Sequence, residues 1–368
     1  MEVPKVTITT FRSYYLTVME YLNEEHWLST ETVAPLLSLQ DKHCLCPFLQ
    51  VEDINDDASR PYVESVFDDI IQMHIAANFY VSRGSYYQAY NLQLLIISLF
   101  SKEIVAKEKD SNWYLPLISV FCDDLRLLAK KAEYEDKRDL EPYMEDVANV
   151  IMGLYRICVA DNRPDLRATK KAAIMPLTVE LFRVYFDMNK MTLLKPLIRS
   201  VENLNSSFVK LVSLSDLVAY NYFLGKKAIF DGDMATANRA LQHAFDYCPE
   251  RFKTSRRNIL IYWLPVKMFL GYIPNRAILN DFDLSAFFPI IDGIDHGDCK
   301  EFRHALAQHS RFFIKSGIFL MLEKLTNLTH LALFKRLHSI VNKDGGCRVK
   351  LDAFYHCLRY RGSLPQDG

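Results

Sequence analysis

The residue types that most often bind metals cluster at one place near the N-terminus. His43, Cys44 and Cys46 lie within four residues of one another. A tetrahedral zinc site needs four ligands, usually from two such groups, and the sequence has no second group at a matching spacing. The eight cysteines are otherwise scattered, as expected for reduced thiols. We therefore interpret the cluster as loop thiols and predict no bound metal.

Two pairs of carboxylates have the spacing that acid-base catalysis would need. Asp123 and Asp124 are adjacent, and Asp231 and Asp233 flank a glycine. The first pair follows an apolar helical segment, and the second lies in a predicted turn where aspartate commonly caps a helix. The sequence contains no G-x-S-x-G, phosphate-loop or H-E-x-x-H motif. We predict a protein that is not an enzyme and has no cofactor or small-molecule substrate.

Basic residues collect in three places in the last third of the chain, at a helix start near residue 256, along residues 335–343 and around residue 350. Clustered lysines and arginines can neutralise phosphates of RNA or DNA. A solvated helix face gives the same pattern, so both interpretations stay open. The formal net charge of −1 means that any binding must come from such a local patch. The candidate nucleic-acid-binding residues are Arg256, Arg257, Lys335, Arg336, Lys343, Arg348 and Lys350.

Aromatic residues follow the first basic cluster at helical spacing. Such a stripe usually faces the protein core, but an exposed aromatic side chain could also anchor a partner peptide. The candidate partner-binding residues are Tyr262, Trp263, Lys267 and Phe269.

The elements that must position these residues are helices. Half of the chain is hydrophobic and only 12 of its 368 residues are glycine, which favours long helices over a turn-rich β fold. Residues 84–89 and 232–237 share one pattern, a glycine followed five residues later by alanine. The second lies in a partial tetratricopeptide pattern of about 34 residues. We predict stacked helical hairpins in a right-handed solenoid.

The C-terminal segment has a different sequence pattern from the helical hairpins before it. Apolar spacing predicts a helix over 331–341, and residues 344–346 read as a turn. Residues 347–351 alternate as a short strand would, and Asp352 is placed to cap a final helix. Helix, turn, strand and helix form the first half of a winged helix.

Several segments together resemble a known family. ILIYWLPVKMFLGYIP, FFIKSGIFLMLEKL, LFKRL and LDAF are similar to the PCI module, and upstream segments at 181–201 and 222–248 keep the same order. The chain is identified as a member of the PCI-domain-containing protein 2 family. The resemblance implies tetratricopeptide-like repeats over 1–204 and a PCI module over 205–368. Within that module it implies a helical part at 205–330, a partial winged helix at 331–361 and a divergent tail at 362–368.

The resemblance also implies a function. The family provides a non-catalytic scaffold subunit of the nuclear complex that couples transcription to mRNA export at the nuclear pore. Its partners would be a large scaffold subunit resembling germinal-centre-associated nuclear protein, a small acidic disordered subunit, and RNA or DNA bound weakly and non-specifically. The implied location is the nucleus, including the pore, with the cytoplasm as a further location. The alternative is a PCI subunit of the proteasome lid, the COP9 signalosome or a translation initiation factor.

The sequence predicts no interaction with membranes. Its start has an acidic residue and no apolar core, unlike a secretory signal. We also find no apolar run of membrane-spanning length in the sequence.

Overall fold

A computed structural model of the protein describes residues 8, 10–50, 65–136, 140–165, 168–204, 212–342 and 348–361. Within these ranges the regular structure is helical, and no strand occurs among them. The prediction of an all-α fold is therefore confirmed. None of the described helices is both long and apolar enough to span a bilayer.

The chain divides into two compact units, residues 1–220 and 221–368. The predicted boundary at residue 204 adjoins residues 205–211, which lie outside the described ranges, so its position stays a prediction. The helices that begin in the first unit are α1 Phe11–Asn23, α2 Trp27–Val33, α3 Val66–Ser82, α4 Tyr86–Leu99, α5 Pro116–Asp136, α6 Leu140–Ala160, α7 Ile174–Asp187, α8 Leu194–Glu202 and α9 Leu214–Asp231. Those of the second are α10 Met234–Tyr247, α11 Lys253–Phe269, α12 Arg276–Asp281, α13 Phe288–His296, α14 Cys299–Gln308, α15 Ser310–Lys315, α16 Phe319–Lys324, α17 Thr326–Val341 and α18 Leu351–Tyr360.

Short 3₁₀ segments complete the helical ends and connections. They are Ala34–Leu37, Lys42–Leu45, Pro47–Leu49, Lys170–Ala173, Met191–Leu193 and Ser285–Phe287. A single π-helical turn, Phe100–Val105, continues α4.

Helices that follow one another in the chain pack against one another, as stacked hairpins require. In the first unit α3 packs on α4, α4 on α5, α5 on α6 and α6 on α7. Their core contains Phe100, whose ring lies edge-on to Phe121 with centroids 5.3 Å apart. Both rings are at most 1% exposed, so each contributes roughly 1.5–3 kcal/mol through burial.

The two glycine turns that the sequence analysis singled out have the predicted form. Gly84 and Gly232 adopt positive φ values of 77° and 80°, where a residue with a Cβ atom is strained. Ala89 and Ala237, five residues after each glycine, are fully buried. A small side chain at these positions lets the following helix approach its neighbour closely.

The strand predicted over 347–351 is wrong for its described part. Residues 348–350 have no regular structure, and Leu351 is the first residue of α18. No described strand lies nearby to pair with it, and a single short strand cannot satisfy its backbone groups alone. The prediction that Asp352 is the N-cap is also wrong, because Lys350 occupies that position. Asp352 lies in the first helical turn, where its negative charge interacts favourably with the helix dipole. The predicted turn at 344–346 lies outside the described ranges.

Candidate nucleic-acid and partner interface

Helix α11 carries two of the predicted cations and all the predicted partner-binding residues. Its buried face contains Ile259, Leu260, Leu264 and Met268. The helix continues through the buried Pro265, although that residue has no N–H to donate to the preceding turn. Helix α11 packs against α10. This packing fixes the orientation of the more exposed face of α11.

Arg256 and Arg257 are used inside the protein. The Arg256 guanidinium lies 4.2 Å from the centroid of the Phe245 ring, and its side chain is 16% exposed. Arg257 Nε donates a hydrogen bond of 3.0 Å to the carbonyl of Phe282. Both side chains therefore brace α11 against neighbouring segments, which limits their reach toward a phosphate.

Trp263 and Tyr262 also make internal contacts, while remaining partly exposed. Trp263 Nε1 donates a 2.8 Å hydrogen bond to Oδ1 of Asn238, and its ring lies 5.4 Å from that of Phe245. The Tyr262 hydroxyl donates a 2.8 Å hydrogen bond to the carbonyl of Ser316. Lys267 Nζ sits 4.9 Å from the Trp263 ring centroid, and Phe269 is half-buried. Their role in partner binding stays a prediction.

Trp263→Ala should lower the stability of the second unit. The change removes the ring contact with Phe245 and leaves the Asn238 amide oxygen without its donor. We expect a loss of about 2–3 kcal/mol, less than for a fully buried tryptophan because the ring is half-buried. Thermal unfolding would measure it, with Trp263→Phe as a comparison that keeps one aromatic ring and loses the hydrogen bond and part of the ring volume. An unchanged melting temperature with weakened partner binding would instead make Trp263 an interface residue.

The remaining described cations lie on and around the two C-terminal helices. Lys335, Arg336, Arg348 and Lys350 are all exposed. Arg336 lies 3.9 Å from Asp295 in a half-exposed pair, which contributes little to stability. Lys343 lies outside the described residues. The structure thus separates the predicted cations into two sets. The solvent-facing set lies on α17 and in the segment just before α18.

Helix α18 is docked on α17 by an aromatic contact. The rings of Phe334 and Phe354 meet edge-on with centroids 4.9 Å apart. Arg361 forms an ion pair with Asp298, and Asp298 in turn caps α14 by accepting from the backbone N–H groups of Lys300 and Glu301. These contacts fix the C-terminal cations relative to the rest of the second unit.

An apolar groove of about 200 Å³ opens beside this basic surface. The connection after α11 forms one wall, through the side chains of Tyr272 and Ile273, which are 62% and 56% exposed. Helix α17 contributes Leu331 and Lys335. Lys335 therefore stands where an apolar groove meets the basic surface. The sequence gives no sign that Ile273 lines a groove, because the groove forms only when α13 packs against α17.

The paired carboxylates serve the fold. Asp123 forms ion pairs with Arg126 and Arg183; burial alone would raise its pKa, but these cations and Gln40 lower it. Asp124 is 1% exposed and accepts a 2.8 Å hydrogen bond from the Leu39 backbone N–H. Burial raises the pKa of Asp124 to about 6. Each carboxylate thus has structural partners of its own.

The second carboxylate pair lies at the predicted turn. Asp233 caps α10 by accepting a 3.0 Å hydrogen bond from the Thr236 N–H, which confirms the predicted cap. Asp231 forms an ion pair with Lys227 one helical turn earlier. Both residues stabilise the junction between α9 and α10.

A cluster of metal-type ligands forms around the loop singled out in the sequence. Cys44 Sγ lies 3.5 Å from Nε2 of His43, and His74 on α3 completes the group. One donor atom from each residue lies within 4.8 Å of the others. Sequence analysis missed His74 because it lies 30 positions away on a helix with no other ligand-type spacing.

These observations define a protein of stacked helical hairpins with exposed cations near its C-terminal helices, which places it in the class of helical-repeat proteins. No protein-family model matches the chain. It is 38% identical over 371 residues to a PCI domain-containing protein 2 homolog of Caenorhabditis elegans, covering 98% of this chain and 89% of that protein. It is 33% identical to PCI domain-containing protein 2 of Danio rerio, covering 84% and 77%. The chain belongs to the PCI domain-containing protein 2 family.

A more distant relative carries a different name. Protein CSN12 homolog of Yarrowia lipolytica is 24% identical over 265 residues, covering 69% of this chain and 66% of that protein.

Proposed function

We propose that this protein is a non-catalytic scaffold subunit of a nuclear complex that couples transcription to mRNA export at the nuclear pore. It would act mainly in the nucleus and at the pore, with the cytoplasm as a further location. The observation that carries the proposal is the likeness to PCI domain-containing protein 2 over nearly the whole chain, together with the exposed cations on α17 and just before α18.

In the proposed complex these cations form one half of a nucleic-acid-binding surface. Lys335, Arg336, Arg348 and Lys350 contact phosphates, and a large scaffold subunit resembling germinal-centre-associated nuclear protein supplies the other half. Phosphate contacts carry no sequence information. Binding by this chain alone is therefore weak, insensitive to sequence and steeply dependent on salt.

The apolar groove beside Lys335 supports the second proposed partner, a small acidic disordered chain. A disordered segment must offset its ordering entropy, so it needs apolar anchors as well as charge. Tyr272, Ile273 and Leu331 offer the anchors, and Lys335 and Lys267 offer the charge. The groove and the cations lie in the same compact unit.

The triple variant Lys335→Glu, Arg336→Glu, Lys350→Glu should bind RNA and duplex DNA at least tenfold more weakly than the wild type at about 0.1 M salt. Each lost phosphate contact reduces the slope of log affinity against log salt by about 0.9 on duplex DNA. A salt titration followed by fluorescence anisotropy measures both quantities. The matched control is Arg311→Glu, Lys315→Glu, Lys324→Glu, which makes the same change in net charge on the exposed faces of α15 and α16.

The same variants test the role in cells. Depletion of the protein should cause polyadenylated RNA to accumulate in the nucleus, and the wild-type chain and the control variant should reverse it. The triple variant Lys335→Glu, Arg336→Glu, Lys350→Glu should not reverse this accumulation. Normal RNA export after depletion would contradict the proposal.

The alternative is a PCI subunit of another multi-subunit assembly such as the COP9 signalosome, the proteasome lid or a translation initiation factor. Co-purification of the tagged protein from cells distinguishes the two, since the export complex and these assemblies share few subunits.

A further inference from the structure

The His43, Cys44 and His74 cluster lies far along the chain from the surface proposed above and is not explained by it. His43 and Cys44 belong to the 3₁₀ turn Lys42–Leu45, and His74 lies in the middle of α3. Cys44 is 6% exposed and His74 is 3% exposed. Three polar side chains of metal-binding type thus meet inside the first compact unit, at a place where apolar packing would otherwise be expected.

The turn is clamped onto α3 by hydrogen bonds that do not involve the three side chains. Asn78, one helical turn after His74, donates a 3.1 Å hydrogen bond to the Cys44 carbonyl and a 2.9 Å hydrogen bond to the Leu49 carbonyl. Gln50 donates to the same Cys44 carbonyl at 3.2 Å. The backbone that carries His43 and Cys44 is therefore held against the helix that carries His74, so the three donors are pre-positioned.

The distance between the first two donors suits one metal ion. With Zn–S near 2.3 Å and Zn–N near 2.0–2.1 Å, tetrahedral angles place the sulfur and nitrogen ligands about 3.5 Å apart. Cys44 Sγ and His43 Nε2 are 3.5 Å apart. A donor atom of His74 lies within 4.8 Å of both, so the three ligand atoms face the same small space.

The far side of the His43 ring lies near a carboxylate group. Its Nδ1 is buried and makes no hydrogen bond of normal geometry, yet it lies 3.9 Å from a carboxylate oxygen of Asp41. A carboxylate that accepts the second N–H of a ligating histidine fixes the ring and raises its basicity. The tautomer with the proton on Nδ1 leaves the Nε2 lone pair pointing toward the thiol.

When the metal–sulfur bond forms, the Cys44 thiol would lose its proton to solvent and bind as the thiolate.

We propose that His43, Cys44 and His74 bind Zn²⁺ through Nε2, Sγ and an imidazole nitrogen, with a water as the fourth ligand. A thiolate with two imidazoles suits Zn²⁺ and excludes the hard ions Ca²⁺ and Mg²⁺, which take oxygen ligands. The ion would tie the turn to α3 and so stabilise the first unit.

The test uses the untagged full chain, stripped of metal by a chelator and then dialysed. Titration with Co²⁺ should give the visible bands of tetrahedral coordination and a near-ultraviolet thiolate band, at one equivalent. Zn²⁺ should displace the Co²⁺ and raise the melting temperature, whereas Mg²⁺ should do neither. Calorimetry then gives the Zn²⁺ affinity.

Cys44→Ser and His74→Gln should each weaken Zn²⁺ binding at least 100-fold, and Cys44→Ser should also abolish the thiolate band. Cys357→Ser, which alters a half-buried cysteine in the other unit, should change neither. Because His74→Gln alters a buried residue, circular dichroism must show that it is folded; Cys44→Ala, which needs no new buried hydroxyl, provides the second variant. Absence of the thiolate band in folded wild-type protein, or equal Zn²⁺ affinity in Cys44→Ala, would overturn the assignment.

Discussion

Gly297→Ala is expected to destabilise the second unit by roughly 2–5 kcal/mol. Gly297 ends α13 with a φ of +64°. A Cβ atom there would lie 2.5 Å from the backbone nitrogen of Leu333 and 2.7 Å from its Cα. The strain of a left-handed residue costs roughly 1–2 kcal/mol, and forcing an atom into packed structure adds roughly 1–3 kcal/mol. Because the contact is with the backbone of α17, no side-chain rotation relieves it.

Gly271→Ala is the matched control for this variant. Gly271 also has positive φ, +84°, but a Cβ atom there would meet nothing within 4 Å. It should therefore lose only the strain energy. Denaturant unfolding of both variants measures the difference, and equal losses would mean that α13 and α17 are not in the close contact described.

Arg126→Ala is expected to cost the first unit about 3–5 kcal/mol at neutral pH. Arg126 on α5 is 8% exposed; its Nε donates a 3.2 Å hydrogen bond to Glu180 of α7, and it also pairs with Asp123. Removing one partner of a buried ion pair leaves an uncompensated charge, which is the costly case. Arg183 contacts both carboxylates and retains part of the compensation.

The loss of stability caused by Arg126→Ala should become smaller as the pH falls. Burial already raises the pKa of Glu180 against the opposing effect of Arg183 and Arg126, and loss of Arg126 raises it further, together with that of Asp123. A carboxyl whose pKa is higher in the folded than in the unfolded state favours folding at low pH and opposes it as the pH rises through the folded value. Unfolding free energies at pH 5 and pH 8 should therefore differ more in the variant than in the wild type.

Lys107→Ala provides the control for the ion-pair effect. Lys107 pairs with Glu103, and its side chain is 67% exposed, so its loss should cost at most about 1 kcal/mol. A comparable loss from both variants would show that the Arg126 network is hydrated and not a buried ion pair.

Local sequence patterns were sufficient to predict the helical fold, the turns at Gly84 and Gly232, and the helix cap at Asp233. Each depends on residues within a few positions of one another, where spacing and backbone preference dominate. The strand prediction is wrong for residues 348–351, because a short strand needs a neighbouring strand and none lies among the described residues. Whether such a partner exists depends on tertiary structure, which alternation over five residues does not display.

Sites depend on contacts between distant residues, so they were predicted less well. In the sequence, Arg256 and Lys335 both look like members of a basic cluster. In the structure, the Arg256 guanidinium lies over the Phe245 ring, whereas Lys335 is exposed. His74 carried no signal at all, since only the packing of α3 against the 42–45 turn brings it to Cys44. Sequence spacing finds ligands that share an element and misses those joined by tertiary structure.

The docked α18 also bears on how the protein behaves in concentrated solution. Leu351 and Tyr360 are 84% and 86% exposed, and Ile340 at the end of α17 is 67% exposed. The chain has a formal net charge of −1 and a pI near 6.8, so long-range repulsion between copies is weak at neutral pH. Short-range attraction between these apolar patches is then opposed by little. Colloidal stability should consequently be lowest near neutrality and should improve when a partner covers the two C-terminal helices.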